Sequence, residues 1–257
     1  MLLTIDVGNT NITLQLMQGE KTAACFRLTT QTQRTSDEFV MAFRDFFAIE
    51  DIHAAEVEDV VISSVVPKTM HALTNAVRQF IGKEPIMIAP GIRSGIEIRT
   101  ENPREVGADR IVNVAAAYYT YHRSCIVVDF GTATTFDYIS ENGVFAYTVI
   151  APGIGISAAA LASCTARLPE IEICKPDSIL GRNTVHGMQA GVVYGYIGLV
   201  EYIIQQMKME LDDPQAYVIA TGGQGEVIAK AAKSIDVYDP QLAGKGMAII
   251  YAKAKKR

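Results

Sequence analysis

Many features that would place this chain at once are missing from it. Its longest apolar stretches are short and broken by Gly, Ser or charged residues, so no membrane-spanning segment is expected. The opening Met1-Leu2-Leu3-Thr4-Ile5 reaches Asp6 at once, without the basic start and apolar run of a secretory signal. Four cysteines, at 25, 125, 164 and 174, form no C-x-x-C pair, and the four histidines supply no H-x-x-x-H. That argues against a disulfide framework or a zinc site and for free thiols in a reducing cytoplasm. A basic surface is also lacking. The net charge is -5, which leaves no footprint for nucleic acid or an anionic membrane. The one basic run, Lys253 to Arg257, reads as a solvated helix end.

The common nucleotide signatures are absent too. No G-x-x-x-x-G-K-[ST] occurs, which argues against a P-loop enzyme. Pro152-Gly153-Ile154-Gly155 has two glycines and none of the remaining dinucleotide fingerprint. Asp129-Phe130-Gly131 spells D-F-G but follows a strand and has no H-R-D partner, so it is not the protein-kinase element.

What is present is a soluble globular composition, 49% hydrophobic and 20% charged, in a chain long enough for one large domain or two modest ones. Apolar strands alternate with amphipathic helices. Strands are expected at Leu2–Asp6, Thr13–Met17, Thr22–Leu28, Asp59–Ile62 and Pro85–Ala89, with helices at Ser36–Phe47 and Pro67–Ile81. A helix is expected over about 110–121. The pattern then restarts with strands at Cys125–Asp129 and Thr134–Ile139, followed by a turn at Glu141-Asn142-Gly143. Helices at 153–163, 184–210 and 224–233 follow, with a strand at Ala216–Ala220 and a loop from Pro169 to Gly181.

The restart carries the most information. Ile5-Asp6-Val7-Gly8-Asn9-Thr10-Asn11 and Val128-Asp129-Phe130-Gly131-Thr132-Ala133-Thr134 share one design: an apolar strand ending in Asp, then x-Gly, then small polar residues and a second strand. The two lie 123 residues apart, close to half the chain, and an internal duplication explains them. Glycine lets backbone N–H groups approach a ligand, and successive N–H groups form a concave anion site. Asn9, Thr10, Asn11, Thr132 and Thr134 add side-chain donors. Carboxylates at Asp6 and Asp129 would repel phosphate unless a cation lay between, and Mg²⁺ suits that position. Either turn alone is best read as a plain hairpin; the pair at matching positions favours phosphate binding.

Two further signals stand beside these. Thr221-Gly222-Gly223 follows a strand and precedes a helix, and could seat an adenosine ring or simply make a tight turn. In Asn102-Pro103-Arg104-Glu105-Val106-Gly107-Ala108-Asp109-Arg110, Asp109 falls at a helix N-terminus. From the residues alone an N-cap is the plainer reading, and a general base the functional one.

Together, Asp6 to Asn11, Gly107-Ala108-Asp109-Arg110, Asp129 to Thr134, Pro152-Gly153, Gly181-Arg182-Asn183-Thr184 and Thr221-Gly222-Gly223 come in the order found in type III pantothenate kinases, which the chain resembles from residue 2 to about 250. The resemblance implies an α/β fold of the actin, hexokinase and heat-shock chaperone ATPase superfamily: two RNase H-like halves, expected at 1–118 and 119–257, with a nucleotide cleft between them. It implies ATP-dependent phosphorylation of pantothenate to 4'-phosphopantothenate, the first step of coenzyme A biosynthesis. Asp6, Val7, Gly8, Asn9, Thr10, Asn11, Ile12 and Thr13 would hold the ATP phosphates, with Thr132 touching ATP from the second turn and Gly222 and Gly223 beside the nucleotide. Asp6 would bind Mg²⁺ through water, and Asp129 a monovalent cation, K⁺ or NH₄⁺. Asp109 would accept the proton. Gly107, Ala108, Asp109 and Arg110 would line the pantothenate pocket, and Thr184 would reach it across a homodimer interface. The chain departs from the family at Thr100, where an aromatic residue is frequent. The rival readings are another small-molecule kinase and a catalytically silent nucleotide-binding regulator on the same fold.

Overall fold

In the computed structural model, which describes residues 1–255, the chain forms two compact units, Met1–Thr120 with the segment from Gln241 onward, and Tyr121–Pro240. The first opens with β1 (Leu2–Val7), β2 (Asn11–Gln18), β3 (Lys21–Thr29), α1 (Ser36–Ile49), β4 (Asp59–Ser64), α2 (Pro67–Ile81), β5 (Ile86–Met87), β6 (Glu97–Ile98) and α3 (Ala108–Tyr121). Its sheet runs β3-β2-β1-β4-β5. The β1–β2 and β2–β3 pairs are antiparallel, and β4 lies parallel to β1 and β5. Local chemistry fixes the helix ends. Thr35 and Glu38 form a capping box at the start of α1. Pro67 opens α2, and Gly82, at φ +73°, closes it in the left-handed conformation. Phe39, Phe43 and Phe46 of α1 are fully buried with Leu3, Ile5, Leu14 and Val60 of the sheet.

The second unit continues with β7 (Cys125–Phe130), β8 (Ala133–Ile139), β9 (Val144–Pro152), α4 (Ile154–Ser163), α5 (Thr184–Glu210), β10 (Tyr217–Thr221), α6 (Glu226–Ala229) and β11 (Val237–Tyr238). Its strands lie in the order β11-β10-β7-β8-β9. Here β8 is antiparallel to both β7 and β9, while β10 is parallel to β7 and β11. Strand for strand this is the topology of the first unit, which is the duplicated RNase H-like arrangement of actin-like ATPases. One face of α5, with Val193, Tyr196, Val200 and Ile204, is buried against Ile126, Val128, Val218 and Ala220.

The chain closes with α7 (Leu242–Lys255), which rests on β1, β2 and β4. This helix therefore belongs with the first unit, whereas the sequence places the whole of 119–257 in a second half. Lys253 and Lys255 lie in the last turn of this helix, Lys255 exposed as expected of a solvated end, and both have partners. Lys253 Nζ stands 3.7 Å from the centre of the Tyr119 ring, and Lys255 donates to Asp59 at 2.5 Å. Lys256 and Arg257, the rest of that basic run, lie outside the described residues. The helix expected over 224–233 shrinks to Glu226–Ala229, because the chain must extend again to pair Val237 with Ile219. The strand expected at Pro85–Ala89 narrows to Ile86–Met87.

Candidate active site

The two repeated turns grow from strands that match position by position. Asp6 is the fifth residue of the six in β1, and Asp129 the fifth of the six in β7. Across the antiparallel neighbour each faces a threonine, Thr13 for Asp6 and Thr135 for Asp129. Across the parallel neighbour each faces a hydroxyl residue, Ser63 for Asp6 and Thr221 for Asp129. Both strands share one burial pattern, closed along the first four residues and half-open at the aspartate. A continuous apolar strand thus carries a carboxylate to the sheet's carboxyl edge, where open α/β sheets bind their ligands.

In the first unit the turn closes with Gly8 N–H donating to Asn11 O at 2.9 Å. Asn9, Thr10 and Asn11 are exposed and Thr13 half-buried, whereas Val7 and Ile12 are buried and have only backbone to offer. Thr30, at the end of β3, fastens the turn from outside. Its hydroxyl donates to Gly8 O at 2.7 Å and its N–H to Thr10 O at 2.8 Å. No motif marked Thr30 in the sequence; only the register of β2 with β3 brings it there.

The carboxyl of Asp6 is pushed up from 3.8 to about 7, first by burial, then by the charge of Asp109, with Ser63 opposing. Two carboxylates therefore face one region of this unit. Asp109 is the second residue of α3, one place inside the helix and so not its N-cap. Its Oδ1 accepts from the N–H of Arg110 at 2.8 Å. A carboxylate in a first helical turn is favoured by the helix dipole. Gly107 is needed beside it, because a Cβ there would stand 2.4 Å from Asp109 Oδ1. Ala108 is buried and Arg110 half-buried, so this segment shows a side-chain surface at Asp109 and Arg110.

In the second unit the turn is one residue tighter, with Gly131 N–H donating to Ala133 O at 3.1 Å. Thr132 is exposed, and its carbonyl accepts from Gly153 N–H at 3.1 Å. A Cβ at Gly153 would lie 2.3 Å from Thr132 O, so Pro152-Gly153 is the floor of this turn. Gly222 sits directly against the repeat's aspartate. At φ +93° it holds a conformation glycine alone adopts readily, and a Cβ would meet Asp129 Oδ1 and Phe130 O, each at 2.6 Å. Tyr238 donates to Gly222 O at 2.9 Å and fixes that loop. Gly223 is exposed beside it. Thr134 does not serve as a donor to a ligand: it is fully buried and hydrogen-bonded to Tyr196, which also donates to Pro152 O at 3.0 Å.

Thr184 lies apart from this turn, exposed at the first position of α5, where the side chain of Asn183 accepts from His186 N–H at 2.9 Å. The outer face of the same helix shows exposed Gly187, Gly191, Gly195 and Gly198, with open space at each Cβ position, followed by Tyr202.

The donor sets suit the expected cations. Among the described residues no three His, Cys, Asp or Glu gather to form a protein metal cage. The Asp6 carboxylate, disfavoured in its charged form by burial and by the neighbouring charge of Asp109, suits Mg²⁺, which keeps most of its waters and shares phosphate oxygens. The carboxylate of Asp129 and the carbonyl of Phe130 both lie beside Gly222 as hard oxygen donors, the chemistry a hard cation requires.

Comparison with known proteins gives the chain a family. The type III pantothenate kinase family matches residues 2–206. A type III pantothenate kinase of Agathobacter rectalis is 47% identical over 257 residues, covering 100% of this chain and 99% of the relative. That of Syntrophotalea carbinolica is 45% identical over 256 residues, 99% and 100% of the two chains. Among solved structures, the ethanolamine utilization protein EutJ of Carboxydothermus hydrogenoformans superposes with a TM-score of 0.58 at 17% identity, over 96% of this chain and 89% of that one. Component A of the (R)-2-hydroxyglutaryl-CoA dehydratase of Acidaminococcus fermentans gives 0.51 at 13%, over 99% of each. Those two likenesses concern the fold alone. No described helix is long and apolar enough to cross a membrane. Matched over its full length by these relatives, the chain belongs to the type III pantothenate kinases, the enzymes that phosphorylate pantothenate on the way to coenzyme A.

Proposed function

We propose that the reaction runs on three carboxylates with separate duties: Asp109 as base, Asp6 at the phosphate-bound Mg²⁺, and Asp129 at a monovalent cation. The observation that carries this is the matched placement of Asp6 and Asp129, with Asp109 added on one side only. The exposed N–H groups and side chains of Asn9, Thr10 and Asn11 line an anion site for the ATP phosphates, and Thr132 offers a second. Gly222 and Gly223 leave flat backbone against which adenosine can lie. Gly107 to Arg110 form the acceptor pocket, where Arg110 suits the pantothenate carboxylate.

Asp109 accepts the proton of the primary hydroxyl while that oxygen attacks the γ-phosphorus in line. The bond to the β-γ bridging oxygen breaks, and 4'-phosphopantothenate and ADP leave. The transition state is loose, so positioning of the carboxylate outweighs its basicity. When bound, Mg²⁺ supplies charge neutralisation on the phosphates, and K⁺ or NH₄⁺ does so near the second turn.

The glycine face of α5 lets a second backbone come close, and Thr184 at its start would then complete the partner's acceptor pocket in a homodimer. Free cysteines throughout the chain accord with a reducing cytoplasm. The test is a coupled assay of ADP release with ATP, Mg²⁺ and K⁺. Release that requires pantothenate, and is not restored by sugars, is expected. Equal release with pantothenate omitted would point to an ATP phosphohydrolase instead.

A further inference from the structure

We infer that Gly246, on the C-terminal helix far along the chain from every motif, is a positioning residue for the base Asp109. The inference rests on the assignment of Asp109 made above. Gly246 is buried, and a Cβ built on it would lie 2.1 Å from the carbonyl oxygen of Val112, 2.9 Å from its carbonyl carbon and 2.9 Å from its Cγ1. The backbones of α7 and α3 therefore touch at this point. Val112 is fully buried and stands three residues after Asp109, less than one turn along the same helix.

The obstacle a side chain would meet is main chain, which cannot rotate away. Reaching an ordinary van der Waals contact requires α3 and α7 to part by on the order of 1 Å, and a misplacement of that size near reacting atoms can cost about a hundredfold in rate. Asp109 has little freedom to compensate. Its Oδ1 is held by the Arg110 N–H, and Gly107 leaves no spare room beside it. The opposite wall is rigid as well, because Val65, 3.5 Å from a Cβ at Gly107, donates its N–H to Val7 O at the end of β1. A displaced α3 thus carries the base away from a fixed strand edge.

Gly244, two residues earlier on α7 and so on a different side of the helix, provides a contrast. A Cβ there would first meet the side chain of Gln15 on β2, whose oxygen lies 2.0 Å away. Its substitution disturbs the same helix by pressing first on a side chain of the sheet, not on the main chain of α3.

The experiment is a double-mutant cycle on the full-length enzyme with Gly246→Ala, Asp109→Asn and their combination. ATP affinity and melting temperature are measured alongside, and Gly244→Ala serves as the packing comparator. Gly246→Ala is expected to lower kcat tenfold to a hundredfold, with ATP affinity within about threefold of wild type. In the Asp109→Asn background it is expected to lower kcat by less than about twofold, since the group it displaces no longer acts. An equal fold-loss in both backgrounds, or a matching loss in Gly244→Ala, overturns the positioning role. Near-normal turnover of Asp109→Asn alone overturns instead the assignment of the base. Should Gly246→Ala give no folded protein, Val112→Ala, which leaves the main-chain contact in place but removes the Cγ1 packed beside it, enters the cycle in its place and must show the same dependence on Asp109.

Discussion

Replacing Asp6 by Asn should kill the enzyme and stabilise the protein. In the metal-free protein the carboxyl of Asp6 is pushed up from 3.8 to about 7, so its ionised form is disfavoured in the folded state. At about 1.4 kcal/mol per pH unit, the charge costs the fold about 4 kcal/mol once fully developed. The sign follows from proton uptake. Between 3.8 and about 7 the folded chain holds a proton that the unfolded chain has released, so stability falls as pH rises through that window. Below it both states are protonated and the cost is absent; above it the cost is complete. Asparagine keeps the shape and carries no charge. Asp6→Asn is therefore expected to gain about 4 kcal/mol at pH 8.5 but only about 2 kcal/mol at pH 5.5. The measurement is urea unfolding by circular dichroism at both pH values in EDTA, where the change in the gain, about 2 kcal/mol, is free of any fixed effect of the amide. A gain that does not vary with pH, or a loss at both, would refute the claim that burial and Asp109 together burden this carboxylate. The same variant should show no ADP release with saturating Mg²⁺.

Other outcomes can be checked with the same assay. Asp109→Asn should lower kcat by about 10²–10⁴-fold while ATP binding, followed by calorimetry, stays near wild type. Asp129→Ala should abolish the stimulation of turnover by K⁺ or NH₄⁺; equal wild-type activity in Na⁺ alone would remove the cation from the mechanism. Gly222→Ala places a methyl group 2.6 Å from Asp129 Oδ1 at φ +93°. It should lower the melting temperature by an amount equivalent to about 1–2 kcal/mol and weaken the cation dependence in parallel.

The repeated unit was readable because its signal is local: an apolar run, an aspartate, a glycine and a second run give two strands and a turn whatever surrounds them. Helices with chemical end marks were equally plain, as at Pro67 and Gly82 of α2 or Asn183 of α5. What escaped depended on distant partners. Strand β9, with exposed Tyr147 and Ile150, lacks the alternation of a one-sided strand and is defined by its register with β8. Helix α7 has small residues where it touches other elements, so its apolar stripe is faint, and its place in the first unit is set by packing on β1, β2 and β4. Within the site, Asp6, Asp109 and Asp129 carried sequence signals, whereas Thr30 and Ser63 came into view only through strand register. Thr134 shows the converse, a polar residue in the right motif whose hydroxyl turns inward to Tyr196.

The return of α7 to the first unit has a consequence for biosynthesis. Residues 121–240 are one uninterrupted stretch, with every strand of that sheet's β7–β11 set available once Pro240 has been made. The unit bearing Asp6 and Asp109 must wait for the helix that packs on β1, β2 and β4, which is made only after residue 240. Translation halted near residue 240 would therefore release residues 121–240 as a whole unit and leave the unit of Asp6 with its sheet covered by α1 and α2 but without α7, a natural target for chaperones and for proteolysis.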